Sequence, residues 1–134
     1  EDFLTAAQRE LAEEAGLAAS DWRVLVDFFS SPGGMNESIR VYLARGLSPA
    51  APGPDFVVEH EEAHMTVLRV AYADLVSAVL AGRVQSPTMV AGVLAYAAAR
   101  DRLDQLRPAD APWRARGQFN RLRSARIVDG ATDR

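Results

Sequence analysis

The run Arg9-Glu10-Leu11-Ala12-Glu13-Glu14-Ala15-Gly16-Leu17 constrains the fold more tightly than any other part of the chain. A helix sets residues three and four apart on one side, so Glu10 faces both Glu13 and Glu14, and each like-charged pair costs about 0.2–0.5 kcal/mol. On an adjoining face Leu4, Ala7, Leu11 and Ala15 recur at helical spacing. The segment therefore predicts an amphipathic helix with an apolar stripe beside an acidic one. Thr5 is the expected N-cap and Gly16 the expected C-terminal stop. A solvated acidic face explains the charge of this helix but leaves its spacing unexplained.

Counted from Glu1, the chain reads Glu, seven residues, then that run. The pattern resembles the Nudix box, G-x5-E-x7-R-E-U-x-E-E-x-G-U with U aliphatic, and every fixed position from Glu1 onward is matched. The box glycine would stand six residues before Glu1, so the resemblance implies that the chain starts inside the motif. It also implies an α/β fold, the Nudix α/β/α sandwich with a mixed sheet, incomplete here because the upstream strands are absent.

Composition sets bounds on the alternatives. A chain of 134 residues with 49% hydrophobic content can bury one modest core. Its net charge of -3 argues against a general nucleic-acid binder. No run approaches the roughly 20 apolar residues of a membrane span. Without cysteine there is neither disulfide nor thiolate chemistry. Every cationic residue is Arg, which reads as a coding bias rather than as chemistry.

Trp22 to Phe29, WRVLVDFF, is rich in β-branched and aromatic residues and predicts a buried strand. It runs into the turn cluster Ser30-Ser31-Pro32-Gly33-Gly34. Ser38 to Leu47 begins by alternating Ile39, Val41 and Leu43 against Arg40 and Tyr42, as a half-buried strand does, and the two strands are expected to pair. Ser48 to Asp55 is proline-rich loop. Met65 to Val70 predicts a further strand, and Tyr72 to Ala81 a helix ended by Gly82. Ser86 and Pro87 read as N-cap and first residue of another helix. That helix is expected to reach about Leu106, with Met89, Val90, Val93, Leu94 and Ala97 facing the sheet. From Arg107 the composition turns to arginine, with Arg114, Arg116, Arg121, Arg123 and Arg126. The expected division is thus 1–107 as the C-terminal portion of a Nudix domain and 108–134 as a poorly ordered Arg-rich extension.

Two loops are similar to those of the ADP-ribose pyrophosphatase branch of the family. Phe28 to Glu37, FFSSPGGMNE, matches an S-P-G-x-x-x-E loop that borders the substrate, which implies substrate-binding roles for Ser31, Gly33 and Glu37. Val57 to Val67, VVEHEEAHMTV, looks like the acidic loop that supplies the catalytic base. An ungapped match puts Glu61 at that position, with Glu62 a close competitor and Glu59 third. His60 and His64, without a third ligand of their kind, read as surface residues.

This chemistry accounts for the acidic crowding. Pyrophosphate hydrolysis builds negative charge on phosphoryl oxygens, which a hard divalent cation neutralises while activating water. Mg2+ takes oxygen ligands, and closely spaced carboxylates supply them. Glu10 and Glu14 are the expected ligands, with Glu13 beside them and also in the catalytic group, and Glu1 adding or orienting a ligand. The resemblance implies structural roles in the box for Arg9 and Gly16, Arg9 by fixing a carboxylate. The resemblance implies Mg2+-dependent, or Mn2+-dependent, cleavage of ADP-ribose or another nucleoside diphosphate sugar by a cytoplasmic homodimer. ADP-ribose would give AMP and ribose 5-phosphate, with activity impaired in this truncated chain. The alternative is a non-catalytic Nudix-like module that binds a nucleotide or a protein partner.

Overall fold

The computed structural model describes residues 2–31, 37–51, 53 and 66–117. Helix α1 (Phe3–Ala15) leads into strand β1 (Leu17–Phe29) and strand β2 (Ser38–Pro49). Helices α2 (Tyr72–Leu80) and α3 (Pro87–Ala99) follow, then a 3-10 turn at Leu103–Gln105 and a two-residue strand, β3 (Arg107–Pro108). The sheet order is β2-β1-β3 with both pairings antiparallel. The fold is mixed α/β around an open three-stranded sheet, consistent with part of the Nudix architecture.

Asp2, not Thr5, caps α1. Its Oδ1 accepts the Leu4 and Thr5 backbone N–H groups at 2.9 and 3.0 Å, and the Thr5 hydroxyl donates to Asp2 Oδ2 at 2.7 Å. Aspartate is the stronger cap, and its position one residue before Phe3 lets it satisfy two otherwise orphaned N–H groups. At the other end Gly16 takes φ 63°, a left-handed conformation that a Cβ would oppose, and its N–H donates to Ala12 O at 3.0 Å. The Gly16 carbonyl accepts from Ala50 N at 2.9 Å, which ties the end of α1 to the end of β2.

β1 and β2 pair from Leu17↔Pro49 to Phe29↔Ser38, with an irregularity between Val24 and Val26 that places one additional residue, Leu25, in β1. Arg40 and Tyr42 lie two apart and share a face, so their partners Asp27 and Val24 share it too. Those partners are an odd number of residues apart. The bulge is what brings them to the same side.

Both faces of the hairpin are covered. On one, α3 approaches closely at Gly92, where an added Cβ would lie 3.2 Å from Val41 Cγ1. On the other, Val24 is 1% exposed and Ala111 is buried as well. Arg40 and Tyr42, expected on a solvent face, are therefore covered: residues 107–113 lie over them, and the Tyr42 hydroxyl approaches Ala109 O at 3.4 Å. Pro108, Ala111 and Trp113 fall after the division expected at residue 107, yet they pack on β1 and α1. Residues 118–134 lie outside the described residues.

Other expectations change as well, and β2 runs on through Ser48 and Pro49, expected to lie in the proline-rich loop. Residues 66–70 form no strand, and Val67, Leu68 and Val70 are exposed. Met65 lies outside the described residues. Helix α3 ends at Ala99 rather than near Leu106, because the chain leaves helical geometry at Arg102 (φ -145°) and tightens into the 3-10 turn. Ser86 makes no side-chain cap bond, so Pro87 is the device that starts α3. Of the face expected on the sheet, Val93 is buried but Met89 and Leu94 are largely exposed. Tyr72 of α2 meets Tyr96 of α3 edge-on at 4.9 Å. An apolar cavity of about 430 Å³ lies among Leu25, Val41, Tyr72, Met89 and Tyr96.

Candidate active site

α1 carries Arg9, Glu10, Glu13 and Glu14 within two helical turns. Glu10 and Glu14 stand one turn apart, where Cβ atoms are about 5–6 Å apart. Glu14 is exposed and Glu10 is half-buried. Glu13 differs from both: its side chain is only 15% exposed, and Arg9 Nη1 donates to its Oε2 at 2.6 Å. Arg9 Nη2 donates to Glu10 Oε1, also at 2.6 Å. One guanidinium thus offsets the mutual repulsion of two of the three carboxylates. These pairs are near solvent, so their worth is in geometry more than in stability.

The β1–β2 connection leaves the sheet at the end where α1 begins, since the Trp113 ring lies 6.1 Å from that of Phe3 and 5.3 Å from that of Phe29. Ser31 is half-buried and Glu37 exposed there, and Ser30 N donates to Glu37 O at 3.2 Å, closing the neck of the loop. Gly33 lies outside the described residues, as do Glu1, Glu59, Glu61 and Glu62. The structure therefore brings the box carboxylates together on one helix and sets the two ends of the β1–β2 connection near the start of that helix.

Among the described residues, no group of three or more metal-ligating side chains lies together. Mg2+ characteristically takes one or two carboxylates and completes its octahedron with waters and substrate phosphate oxygens. The Glu10–Glu14 pair suits that role as a partial ligand set. A carboxylate offers about four acceptor positions, so the bond from Arg9 does not exhaust Glu10.

A polar network centred on the covered side chains of Asp27 and Arg40 escaped the sequence reading. Asp27 and Arg40 are direct partners across the β1–β2 ladder. Arg40 donates from Nε to Asp27 Oδ1 at 2.7 Å and from Nη2 to Oδ2 at 3.0 Å, while its Nη1 donates to Ala111 O at 2.8 Å. Arg107 Nη1 donates to Asp27 Oδ2 at 2.7 Å. Burial works against the charge on Asp27, but the hydrogen bonds from Arg40 and then Arg107 outweigh it and hold the carboxyl below its ordinary value. The bond to Asp27 likewise raises Arg40, against the opposing effect of burial. The signal available in the sequence was one opposite-charge pair at positions that a bulge brings into register.

No protein-family model matches the chain. An ADP-ribose pyrophosphatase of Mycobacterium tuberculosis (strain ATCC 25618 / H37Rv) is 46% identical to it over 110 residues, which cover 82% of this chain and 51% of that protein. The chain spans about half the length of the curated relative it matches. With this likeness extending well beyond the nine-residue run on α1, the chain is a relative of ADP-ribose pyrophosphatase and belongs to the Nudix hydrolases.

Proposed function

We propose that this chain carries the metal-binding helix and part of the substrate surface of a hydrolase that cleaves the pyrophosphate of ADP-ribose, or of a related nucleoside diphosphate sugar. The observation that carries this reading is the 46% identity to a protein named ADP-ribose pyrophosphatase. The box carboxylates gathered on α1 support it. A divalent cation, Mg2+ first and Mn2+ second, would neutralise phosphoryl charge and make bound water a better nucleophile. Glu10 and Glu14 would hold it, and Glu1 would add to the set. Glu13, fixed by Arg9, stands beside them.

Glu61 is the proposed base, taking the proton from the attacking water, with Glu62 the competing assignment. Ser31, Gly33 and Glu37 would border the substrate. The same reading makes the intact enzyme a cytoplasmic homodimer. Because the aligned segment covers only 51% of that relative, the activity is assigned to the intact protein. The test is to follow AMP and ribose 5-phosphate from ADP-ribose with excess Mg2+. Equal release of the two supports the assignment, and no release with either Mg2+ or Mn2+ overturns it.

A further inference from the structure

α1 has no fully buried residue. Its apolar stripe is half-buried along its length. Hydrophobic contact is non-directional, so such a stripe holds a helix against a sheet without fixing how it is turned. What directs α1 lies at its ends. The C-terminal end is tied through Gly16 and Ala50.

At the N-terminal end, the Phe3 ring is held among Arg40, Arg116 and Trp113. Arg40 Cζ lies 5.8 Å and Arg116 Cζ 4.2 Å from the Phe3 centroid. Arg40 Cζ is also 5.7 Å from the centroid of Trp113, whose ring touches both Phe3 and Phe29. The Arg40 side chain is 5% exposed and that of Asp27 8%, and the guanidinium is aimed by the hydrogen bonds to Asp27 and Ala111. A buried ion pair contributes little net stability compared with apolar residues of similar volume, because desolvation offsets attraction. What it does supply is direction, and a bidentate guanidinium–carboxylate pair supplies more of it than a lysine could.

We propose that Arg40 is a positioning residue for the box helix: held by Asp27, it sets the angle of α1 through Phe3, and so the direction in which Glu10 and Glu14 are presented. The chain of contact runs from β1 and β2 through the Arg40 guanidinium to the Phe3 ring, and from there along the helix backbone. This rests on the proposed metal role of Glu10 and Glu14, but its geometric part can be tested without metal.

The experiment uses Arg40→Met, Arg40→Lys and Phe3→Leu in the intact protein, with circular dichroism to confirm folding. Two quantities are read: amide chemical shifts of Glu10–Glu14 against those of Val24–Phe28, and the affinity for Mn2+ by electron paramagnetic resonance. Both Arg40 variants are expected to move the α1 shifts and to weaken Mn2+ binding about 3- to 30-fold, the range of coupling through packed contacts. Lysine should not restore either quantity. Phe3→Leu, which keeps the apolar contact and removes the π face, should act in the same direction and serves if Arg40→Met does not fold. Unchanged α1 shifts in the folded variants overturn the proposal, as does full rescue by lysine, which would reduce Arg40 to a balancing charge. If the parent protein binds no Mn2+, the metal reading fails and the shifts alone decide the positioning role.

Discussion

Asp27 and Arg40 face each other across the β1–β2 ladder and close a two-bond ring between carboxylate and guanidinium, at 2.7 and 3.0 Å. With both side chains less than a tenth exposed, each depends on the other for its charge to be tolerated.

Asp27→Asn should therefore destabilise the protein by about 3–5 kcal/mol, the usual cost of leaving one member of a buried pair uncompensated. The pH dependence follows from the same bonds. The folded Asp27 carboxyl lies below its ordinary value. Its contribution is thus fully present above the unfolded value of about 3.9 and is lost as pH falls through the folded value. Urea unfolding at a series of acidic pH values should show parent stability falling across that window and a flatter curve for Asp27→Asn. Parallel curves would show that Asp27 is not the group responsible.

Metal binding should depend on Glu14. Calorimetry with Mg2+ on the intact protein is expected to show at least about 10-fold weaker binding in Glu14→Gln, no less than the loss of a supporting residue around a metal causes. Glu10→Gln should act alike. Equal affinity in parent and both variants would remove these two residues from the ligand set.

The two candidate bases can be separated by turnover. A positioned general base contributes about 10²- to 10⁴-fold, so Glu61→Gln should lower kcat by that order with Mg2+ affinity nearly unchanged. A larger effect from Glu62→Gln would shift the loop register by one residue. No effect from either would leave the acidic loop without a catalytic part.

Gly16→Ala tests the junction between α1 and β1. Gly16 adopts φ 63°, and among the described residues a Cβ there would meet only Ala50 O, at an ordinary 3.8 Å. The penalty should be that of backbone conformation alone, about 1–2 kcal/mol. Urea unfolding should show it as a lower midpoint at unchanged slope.

The local devices of this fold were legible because their physics is local. Gly16 as a helix stop, Pro87 as a helix start and the pairing of β1 with β2 each depend on a few neighbouring residues. The box on α1 was legible for the same reason, since helical spacing alone brings its carboxylates together. The cap was misread because Asp2 and Thr5 bond to each other and either could cap; the closer, stronger acceptor took the role. Arg40 and Tyr42 were placed on a solvent face because nothing near them in sequence announces that residues 107–113 cover them. Nor does the sequence mark the bulge at Leu25 that turns Asp27 toward Arg40. Residues 66–70 show the converse: β-branched composition alone does not make a strand.

The bond from Arg107 to Asp27 joins residues 80 apart in the chain, whereas α1, β1 and β2 are consecutive and close on one another locally. Loop-closure entropy makes the distant contact slow relative to the near ones, so assembly has an order built into its topology. The hairpin is expected to form first, with the Trp22 ring edge-on to Tyr42. Asp27 and Arg40 are then already paired when β3 arrives, and the last event is the seating of Trp113 against Phe3 and Phe29. The Phe3 end of α1 and the neck of the β1–β2 connection are thus expected to be clamped together last. Refolding followed by single-tryptophan variants should see Trp22 reach its native signal before Trp113, and simultaneous arrival would contradict this order.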